Sequence, residues 1–268
     1  MTAIAVTIAG SDSSAGAGIQ ADLKTFAALE VYGASVITAL TAQNTKGVSA
    51  IHDVPADFIA AQIDAVFSDL DVNAVKIGML SQTESIEAVA EGLERHRPKN
   101  VVLDPVMVAT SGDRLLVPAA IEALRECLIP RALVVTPNLL EAAALLEHAP
   151  ARSEAEMETQ ARALLDLGAQ AILIKGGHGE GPESIDLLVE ATSVTRFAAM
   201  RTATANTHGS GCTLSSAVAA FLAQGFDLKT AGRNAKTYVS AAIAAADQLK
   251  VGQGHGPLHH FHELWRTP

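Results

Sequence analysis

The stretch AIAVTIAGSDSSAGAGIQADLKTFAAL, residues 3–29, decides the fold. It opens with an apolar run that ends at Gly10, which is the pattern of a buried strand in a parallel sheet. A glycine-rich loop follows over residues 10–18, and apolar residues then recur at helical spacing, at positions 19, 23, 26 and 29. The stretch therefore predicts a strand, a flexible loop and a helix, the repeating unit of α/β proteins.

The rest of the chain repeats this alternation. We predict strands at residues 36–40, 74–77, 100–103, 133–135 and 171–174, and helices at 55–70, 83–96, 118–127, 139–146 and 153–167. A strand pair at 184–189 and 193–200 precedes two helices at 212–224 and 227–249. This order predicts an α/β fold: a single three-layer αβα domain over residues 1–268, with a mostly parallel central sheet and little or no separate lid.

Three local features add detail to this prediction. Residues 41–47 are predicted to form a polar loop after a strand, at the sheet edge where open α/β sheets bind ligands. Thr83 is predicted to cap the helix that follows it. Ser153 and Glu156 have the spacing of a capping box.

Composition and charge limit the classes of function. The chain has 268 residues and a formal net charge of -10, without a basic patch, which argues against a nucleic-acid partner. It begins without the basic segment of a signal peptide, and no apolar run reaches the ~18 residues of a membrane span. The two cysteines, Cys127 and Cys212, lack metal or redox spacing, which fits a reducing compartment. We therefore expect a cytoplasmic protein with neither a nucleic-acid nor a membrane partner.

The segment NTHGSGC, residues 206–212, is the strongest candidate for chemistry. Gly209 and Gly211 allow a sharp turn into the helix that follows, where unpaired N–H groups and the helix dipole suit a phosphate. The dipole also favours a thiolate at Cys212, whereas a neighbouring phosphate opposes one. The alternative from this segment alone is a glycine-rich turn with a buried structural cysteine.

Polar residues also follow several predicted strands, namely Asp12, Gln43, Asp104, Asn138 and Lys175. Loop residues that a rigid sheet positions are good candidates for binding or catalysis. Taken singly, each has a simpler interpretation. Asp104 before a proline is typical of a turn, and the Asn138-x-x-Glu141 pair is typical of a helix cap with an acid in the first turn.

Other motifs are weaker. The spacing Gly16-x-Gly18-x-x-Ala21 imitates a dinucleotide fingerprint, but residues 35–41 supply no acid for a ribose hydroxyl. No Gly-Lys-Ser/Thr triplet of a phosphate-binding loop occurs. The histidines at 259, 260 and 262 lack cysteine or acidic partners at ligand spacing, so we expect a packed or interfacial tail there and not a metal site.

Several of these motifs together resemble the ribokinase-like superfamily: residues 206–212, Asn138-x-x-Glu141, residues 102–107 and residues 175–178. Within it, residues 8–25, 38–45, 76–80 and 254–261 are similar to the hydroxymethylpyrimidine/phosphomethylpyrimidine kinases of thiamin biosynthesis. The resemblance covers nearly the whole chain. It implies transfer of the ATP γ-phosphoryl group to the hydroxymethyl of 4-amino-5-hydroxymethyl-2-methylpyrimidine, then to the resulting monophosphate.

The resemblance also implies roles for particular residues. Catalysis would use Cys212 with Gly209, Ser210 and Gly211. The substrate would contact Gln43, Met79, Val106, Ala17, Gly10 and Asp22. ATP would be bound by Lys175, Thr207, His208, Asn138 and Lys236, and Mg²⁺ would be held through Asp104, Asn138 and Glu141. The Gln43 amide would recognise the aminopyrimidine through hydrogen bonds, because the amide has one donor end and one acceptor end.

Some alternatives stay open. Sugar-kinase relatives usually carry Asp at the position of Cys212, whereas a thiol resembles the pyrimidine kinases and some pyridoxal kinases. A pyridoxal/pyridoxine kinase is therefore the first alternative, and a sensor that binds its ligands without turnover is the second. Lys236 has no motif around it and reads equally as a solvated charge. A homodimer or a loop near residues 110–114 is expected to close the site.

Overall fold

The computed structural model describes residues 2–107, 118–177 and 181–265. Its strands are β1 (Ile4–Ala9), β2 (Tyr32–Ile37), β3 (Ala39–Asn44), β4 (Gly47–Asp53), β5 (Ala74–Ile77), β6 (Val101–Leu103), β7 (Val134–Val135), β8 (Ala171–Lys175), β9 (Glu183–Glu190) and β10 (Val194–Met200). The main sheet has the order β10-β9-β8-β7-β6-β5-β1-β2. The six strands β8, β7, β6, β5, β1 and β2 are parallel to their neighbours in this sheet. Strand β9 pairs antiparallel with both β8 and β10.

The helices are α1 (Gly18–Ala28), α2 (Ala56–Phe67), α3 (Thr83–His96), α4 (Pro118–Ala123), α5 (Leu139–Leu146), α6 (Glu154–Leu165), α7 (Ser210–Ala223) and α8 (Leu228–Ala244). A π-helical turn at Leu124–Leu128 and 3₁₀ turns at Ile129–Arg131 and Ala246–Gln248 complete the helical elements of the described residues.

Alternating side chains of the sheet pack against helices on both of its faces. On β6, Val101 and Leu103 join one core with α2, α3, α5 and α6, whereas Val102 joins the other core with α1, α7 and α8. This period-2 alternation is why a short, wholly apolar strand is buried on both faces. The three-layer αβα fold with a mostly parallel sheet is confirmed.

The prediction of a loop at residues 41–47 was wrong. The predicted strand at 36–40 divides at Thr38, where β2 leaves the main sheet and β3 begins a two-stranded antiparallel sheet with β4. Residues 45 and 46 form the turn between them. The polar residues of β3 hide this hairpin in the sequence, because one face of a small sheet at a ligand site is not apolar. The hairpin is therefore an element that the sequence pattern did not predict.

Two predicted caps also differ from the structure. Gln82 and not Thr83 occupies the N-cap position of α3, and Thr83 is its first residue. Ser153 does cap α6 by accepting from the Glu156 N–H, but the Glu156 carboxylate accepts from the Arg152 N–H instead of completing the box.

The loop at residues 110–114 and residue His178 lie outside the described residues. Among the helices that the structure does describe, none combines the length and the apolar character that crossing a bilayer requires.

Candidate active site

A cavity of about 660 Å³ lies at the carboxyl edge of the main sheet. Its walls come from the loops after β1, β5, β6, β7 and β8, from the β3 strand, and from the first turn of α7. It collects nearly all of the predicted site residues: Gly10, Ala17, Gln43, Met79, Asp104, Val106, Asn138, Glu141, Lys175, Thr207, His208, Gly209, Ser210, Gly211, Cys212 and Lys236. Asp22 is the exception. The structure thus brings together residues that lie more than two hundred positions apart in the sequence.

The first turn of α7 is a tight corner between two other loops. Gly209 is the N-cap and has a φ of 82°, and a Cβ at this position would collide with the carbonyl oxygen of Gly16. The next N–H groups, those of Gly211 and Cys212, open the helix where no earlier turn supplies a carbonyl. Both residues line the cavity beside Lys175, whose Nζ would lie 3.3 Å from a Cβ on Gly211. The corner therefore has the geometry of an anion site.

A C-terminal segment at residues 252–260, here called the strap, holds this corner from outside. The His208 N–H donates to the Gly256 carbonyl (3.1 Å), and the Gly256 N–H donates to Asn206 Oδ1 (3.0 Å). The His255 N–H donates to the Thr45 carbonyl at the hairpin turn (2.9 Å). The strap thus joins the hairpin to the corner.

The end of the strap confirms the prediction of a packed tail. His260 is buried with Nε2 3.1 Å from Thr213 Oγ1, and its carbonyl accepts from the Tyr238 hydroxyl (2.8 Å). Within the described ranges, no group of three or more His, Cys, Asp or Glu residues has metal-binding geometry.

Asp12 organises the glycine-rich loop after β1. Its carboxylate accepts from the N–H groups of Ser14, Gly16 and Ala17 and lies 2.8 Å from His208 Nε2. Burial raises the pKa of Asp12, but His208 and the hydrogen bonds from Ser14 and Ala17 outweigh it and lower the pKa to about 2. Asp12 is therefore an ionised acceptor that joins the loop to the corner.

Cys212 is a thiol in this environment. Burial raises its pKa to about 11, the Lys76 ammonium acts in the opposite direction, and the carboxylates of Asp22 and Asp104 raise the pKa further. The helix dipole that favoured a thiolate is thus outweighed by burial. The side chain lines the cavity as a thiol and not as a strong base.

Asp22 does not line the cavity, contrary to the substrate contact that the resemblance implied. It is fully buried, forms an ion pair with Lys76 (2.8 Å), and accepts from the hydroxyls of Thr7 and Ser216 (2.6 Å each). Lys76 does line the cavity. Ser216 lies one helical turn after Cys212, so Asp22 holds Lys76 beneath the first turn of α7.

Lys76 has no role in the sequence predictions, although a lysine inside an apolar strand is itself a sign of a buried charge pair. The residue lies inside the four-residue strand β5, which is otherwise apolar, and lysines are almost never fully buried unless they are paired. Burial lowers its pKa, but the carboxylate of Asp22 outweighs burial and the net shift is upward.

We expect Lys76→Met to lower the free energy of unfolding by about 3–5 kcal/mol, because it leaves the Asp22 charge buried without its partner. The double variant Lys76→Met/Asp22→Asn should recover most of this loss. Urea unfolding measures both, with the exposed Lys99→Met as a control expected within about 0.5 kcal/mol of the parent protein. A single variant as stable as the parent would contradict the charge pair.

A second charged cluster near Cys212 contains Asp104, Glu141 and Lys175. Lys175 Nζ is 2.7 Å from Asp104 Oδ1 and 3.8 Å from Glu141 Oε2. The other Asp104 oxygen accepts from the Ser215 hydroxyl (3.2 Å). Burial raises the pKa of Glu141 to about 7, and the neighbouring Asp104 charge acts in the same direction. Lys175 lowers this pKa but does not outweigh burial, since it also pairs with Asp104. The cluster therefore has less positive charge than its carboxylates require.

The Asn138–Glu141 pair forms a complete capping box at the start of α5. Asn138 Oδ1 accepts from the N–H groups of Leu140 and Glu141, and Glu141 Oε2 accepts from the Asn138 N–H (2.8 Å). The simpler interpretation of this pair as a cap is thus correct. It does not exclude a role in the site, because both residues also line the cavity.

Lys236 is not a solvated charge. Its ammonium is buried at 2.8 Å from Asp186 Oδ2 and 3.0 Å from the Ser184 hydroxyl. Asp186 also accepts from the Gly176 N–H (3.0 Å), directly after β8. The pair therefore fixes the backbone beside Lys175.

Comparisons with known proteins identify the family of the chain. Residues 12–259 match the family described as phosphomethylpyrimidine kinase. The hydroxymethylpyrimidine/phosphomethylpyrimidine kinase of Rhizobium meliloti (strain 1021) is 61% identical, over 99% of this chain and 100% of that protein.

Two solved structures extend the comparison. Phosphomethylpyrimidine kinase from Clostridium difficile 630 superposes with a TM-score of 0.80 at 45% identity, over 90% of this chain and 99% of that chain. Bacillus subtilis pyridoxal kinase, solved as an ADP complex, superposes with a TM-score of 0.90 at 38% identity, over 97% of this chain and 98% of that chain. The ribokinase-like fold is thereby confirmed, and the chain belongs to the phosphomethylpyrimidine kinase family.

Proposed function

We propose that this chain transfers the γ-phosphoryl group of ATP to the hydroxymethyl oxygen of 4-amino-5-hydroxymethyl-2-methylpyrimidine, and then to the monophosphate so formed, in thiamin biosynthesis. The observation that carries the proposal is a cavity that combines two kinds of lining residue. Gln43 and Met79 line it together with the anion corner and Lys175. The names of the relatives and the ADP complex of the pyridoxal kinase support it.

The lining at Gly10 and Met79 suits a small planar ring. Gly10 leaves space there, since a Cβ on it would lie 3.2 Å from Met79 Sδ. Met79, Val106 and Ala17 would supply apolar walls, and the Gln43 amide would supply the polar contact. The ring would then be held with its hydroxymethyl group toward Cys212.

The corner would stabilise the charge of the transferred group. In the proposed reaction the hydroxymethyl oxygen bonds to the γ-phosphorus, the bond to the ADP oxygen breaks, and the hydroxyl proton passes to an oxygen of the transferred phosphoryl group. The N–H groups at Gly211 and Cys212, with Lys175, would meet the equatorial oxygens. Cys212 is a thiol and would orient the hydroxyl, and a loose transition state releases the proton late, so no strong base is required. Lys236, Thr207 and His208 are proposed to complete the ATP contacts.

The donor set fits a magnesium ion held mostly through water. Glu141 and Asp104 are adjacent buried carboxylates with one lysine between them, and a cation would supply the missing positive charge. Asn138 Oδ1 is engaged by the helix cap, so Asn138 would act through water. Mg²⁺ would neutralise phosphate oxygens when bound.

We further propose that residues 1–268 form one kinase domain that works as a cytoplasmic homodimer. The match over residues 12–259 supports the domain. The two free cysteines support a reducing compartment. A second copy would complete the cover that the small hairpin begins.

Mass spectrometry of the products tests the proposed function. With Mg-ATP and the aminopyrimidine alcohol, we expect a product with one phosphoryl group and then a product with two. Pyridoxal serves as the competing acceptor, because the pyridoxal kinase has the same fold. Phosphorylation of pyridoxal alone would establish the alternative, and binding without ADP formation would indicate a sensor.

A further inference from the structure

The Gln43 side chain is held between two polar neighbours. A β-bulge between Ala42 and Gln43 interrupts the hairpin register, and Ser13 brackets the Gln43 backbone by accepting from its N–H (2.8 Å) and donating to its carbonyl (2.7 Å). The amide Nε2 lies 3.4 Å from His208 Nε2, and Oε1 lies 3.1 Å from Thr41 Oγ1. The backbone is therefore fixed, and the amide lies between the His208 and Thr41 side chains.

On the His208 side the neighbour is a hydrogen-bond donor. His208 Nε2 lies 2.8 Å from Asp12 Oδ2, and the ionised carboxylate can only accept. Nε2 must therefore carry a proton in whichever charge state the ring adopts. An amide N–H facing this atom sets two donors against each other, whereas the amide oxygen would share the Nε2 proton with Asp12.

On the Thr41 side the neighbour is an acceptor. The Thr41 hydroxyl has a single proton and two acceptors within reach, the Ser11 carbonyl at 2.8 Å and Gln43 Oε1 at 3.1 Å, and we assign the proton to the shorter contact. Its remaining capacity toward Gln43 is a lone pair. The amide oxygen facing it sets two acceptors against each other, whereas the amide NH₂ would donate.

Both conflicts disappear with one half-turn of the amide, an ambiguity that hydrogen-bond accounting resolves. We propose that the pairs Asp12–His208 and Ser11–Thr41 lock Gln43 with Oε1 toward His208 and Nε2 toward Thr41, and that this polarity determines substrate specificity. The locked amide keeps one N–H and one lone pair for a ligand. It selects a ring acceptor on the Thr41 side next to an exocyclic donor on the His208 side.

This inference rests on the proposed function only in placing the substrate edge against Gln43. A ring nitrogen beside an amino group presents the required order of acceptor and donor. The corresponding 4-oxo pyrimidine has nearly the same shape but presents a ring N–H and a carbonyl, which is the reversed order. The lock therefore predicts rejection of the oxo analogue for reasons of polarity and not of size.

Calorimetric binding without ATP tests the lock on the unaltered protein. The 4-amino alcohol should bind at least ~100-fold more tightly than the 4-oxo alcohol, because a reversed pattern leaves buried polar groups unpaired. Affinities within threefold of each other would overturn the lock. Turnover of the amino alcohol with Mg-ATP is measured separately, so a failure of the proposed function and a failure of the lock give different results.

Variants at the two ends of the lock provide the second test. Thr41→Val with His208→Leu should free the amide and reduce the amino/oxo affinity ratio by ~10-fold or more, whereas Thr41→Ser keeps the hydroxyl and should keep the ratio. A general structural defect would weaken both analogues equally and leave the ratio unchanged. An unchanged ratio in the double variant would also overturn the lock.

Discussion

Replacing Gly209 with alanine is expected to reduce kcat/KM by about 100- to 1000-fold, the range that follows loss of one preorganised backbone donor. Gly209 has a φ of 82°, and its new methyl group would be forced against the Gly16 carbonyl. The corner or the glycine-rich loop must then move, and both line the cavity. Steady-state kinetics with Mg-ATP and the pyrimidine alcohol measure the change.

The other end of the same helix provides the matched control. Gly225 also has a positive φ, of 90°, but a Cβ there meets no atom within 4 Å. Gly225→Ala should lose about 1–2 kcal/mol of stability through backbone strain and keep the parent kcat/KM. If both variants were equally active once their folding is matched, close approach at Gly209 would have no part in catalysis.

Cys212→Ala is expected to lower kcat by about 100-fold or more while the KM for ATP changes less than ~3-fold. In the proposed function the thiol orients the substrate hydroxyl, so its loss should affect the transition state and not nucleotide binding. Cys212→Ser should retain more activity because a hydroxyl also orients the substrate alcohol. Near-normal kcat in both variants would remove Cys212 from catalysis, and Cys127→Ser is the control for loss of a thiol elsewhere.

The pH dependence of alkylation tests the charge state of Cys212 separately. Burial raises the pKa to about 11, so the thiolate fraction should still be increasing at pH 10. In a Cys127→Ser background, which leaves Cys212 as the sole thiol, the iodoacetamide rate should increase about tenfold per pH unit from pH 7 to 10. A plateau below pH 9 would mean that the helix dipole and Lys76 outweigh burial.

The main layers of the fold follow from local patterns. Strand β5 and helices α3 and α5 begin and end where the apolar periodicity predicts, because each buries a continuous face against the sheet. The hairpin of β3 and β4 does not follow, since its polar residues serve a site and not a core. Propensity is a weak guide where the stabilising contacts are with distant parts of the chain.

The candidate site also has predictable and unpredictable parts. The position of Asp104 and Lys175 was predictable because parallel strands place their carboxyl ends at one edge. Which charged groups pair was not. Asp22 shares its loop-helix motif with Asp12, yet Asp12 turns to His208 and Asp22 turns inward to Lys76. Such choices depend on side chains that lie tens to hundreds of residues away, so no local pattern encodes them.

The position of the strap late in the sequence determines when the growing chain can form its ligand cavity. Residues 252–260 leave the ribosome after every other segment that shapes the cavity, and domains fold as units during synthesis. A nascent chain would display the hairpin turn at Thr45 and the loop at His208 before anything ties them together. Ligand binding should therefore arise only after residues 252–260 have been synthesised and have joined the hairpin turn to the corner.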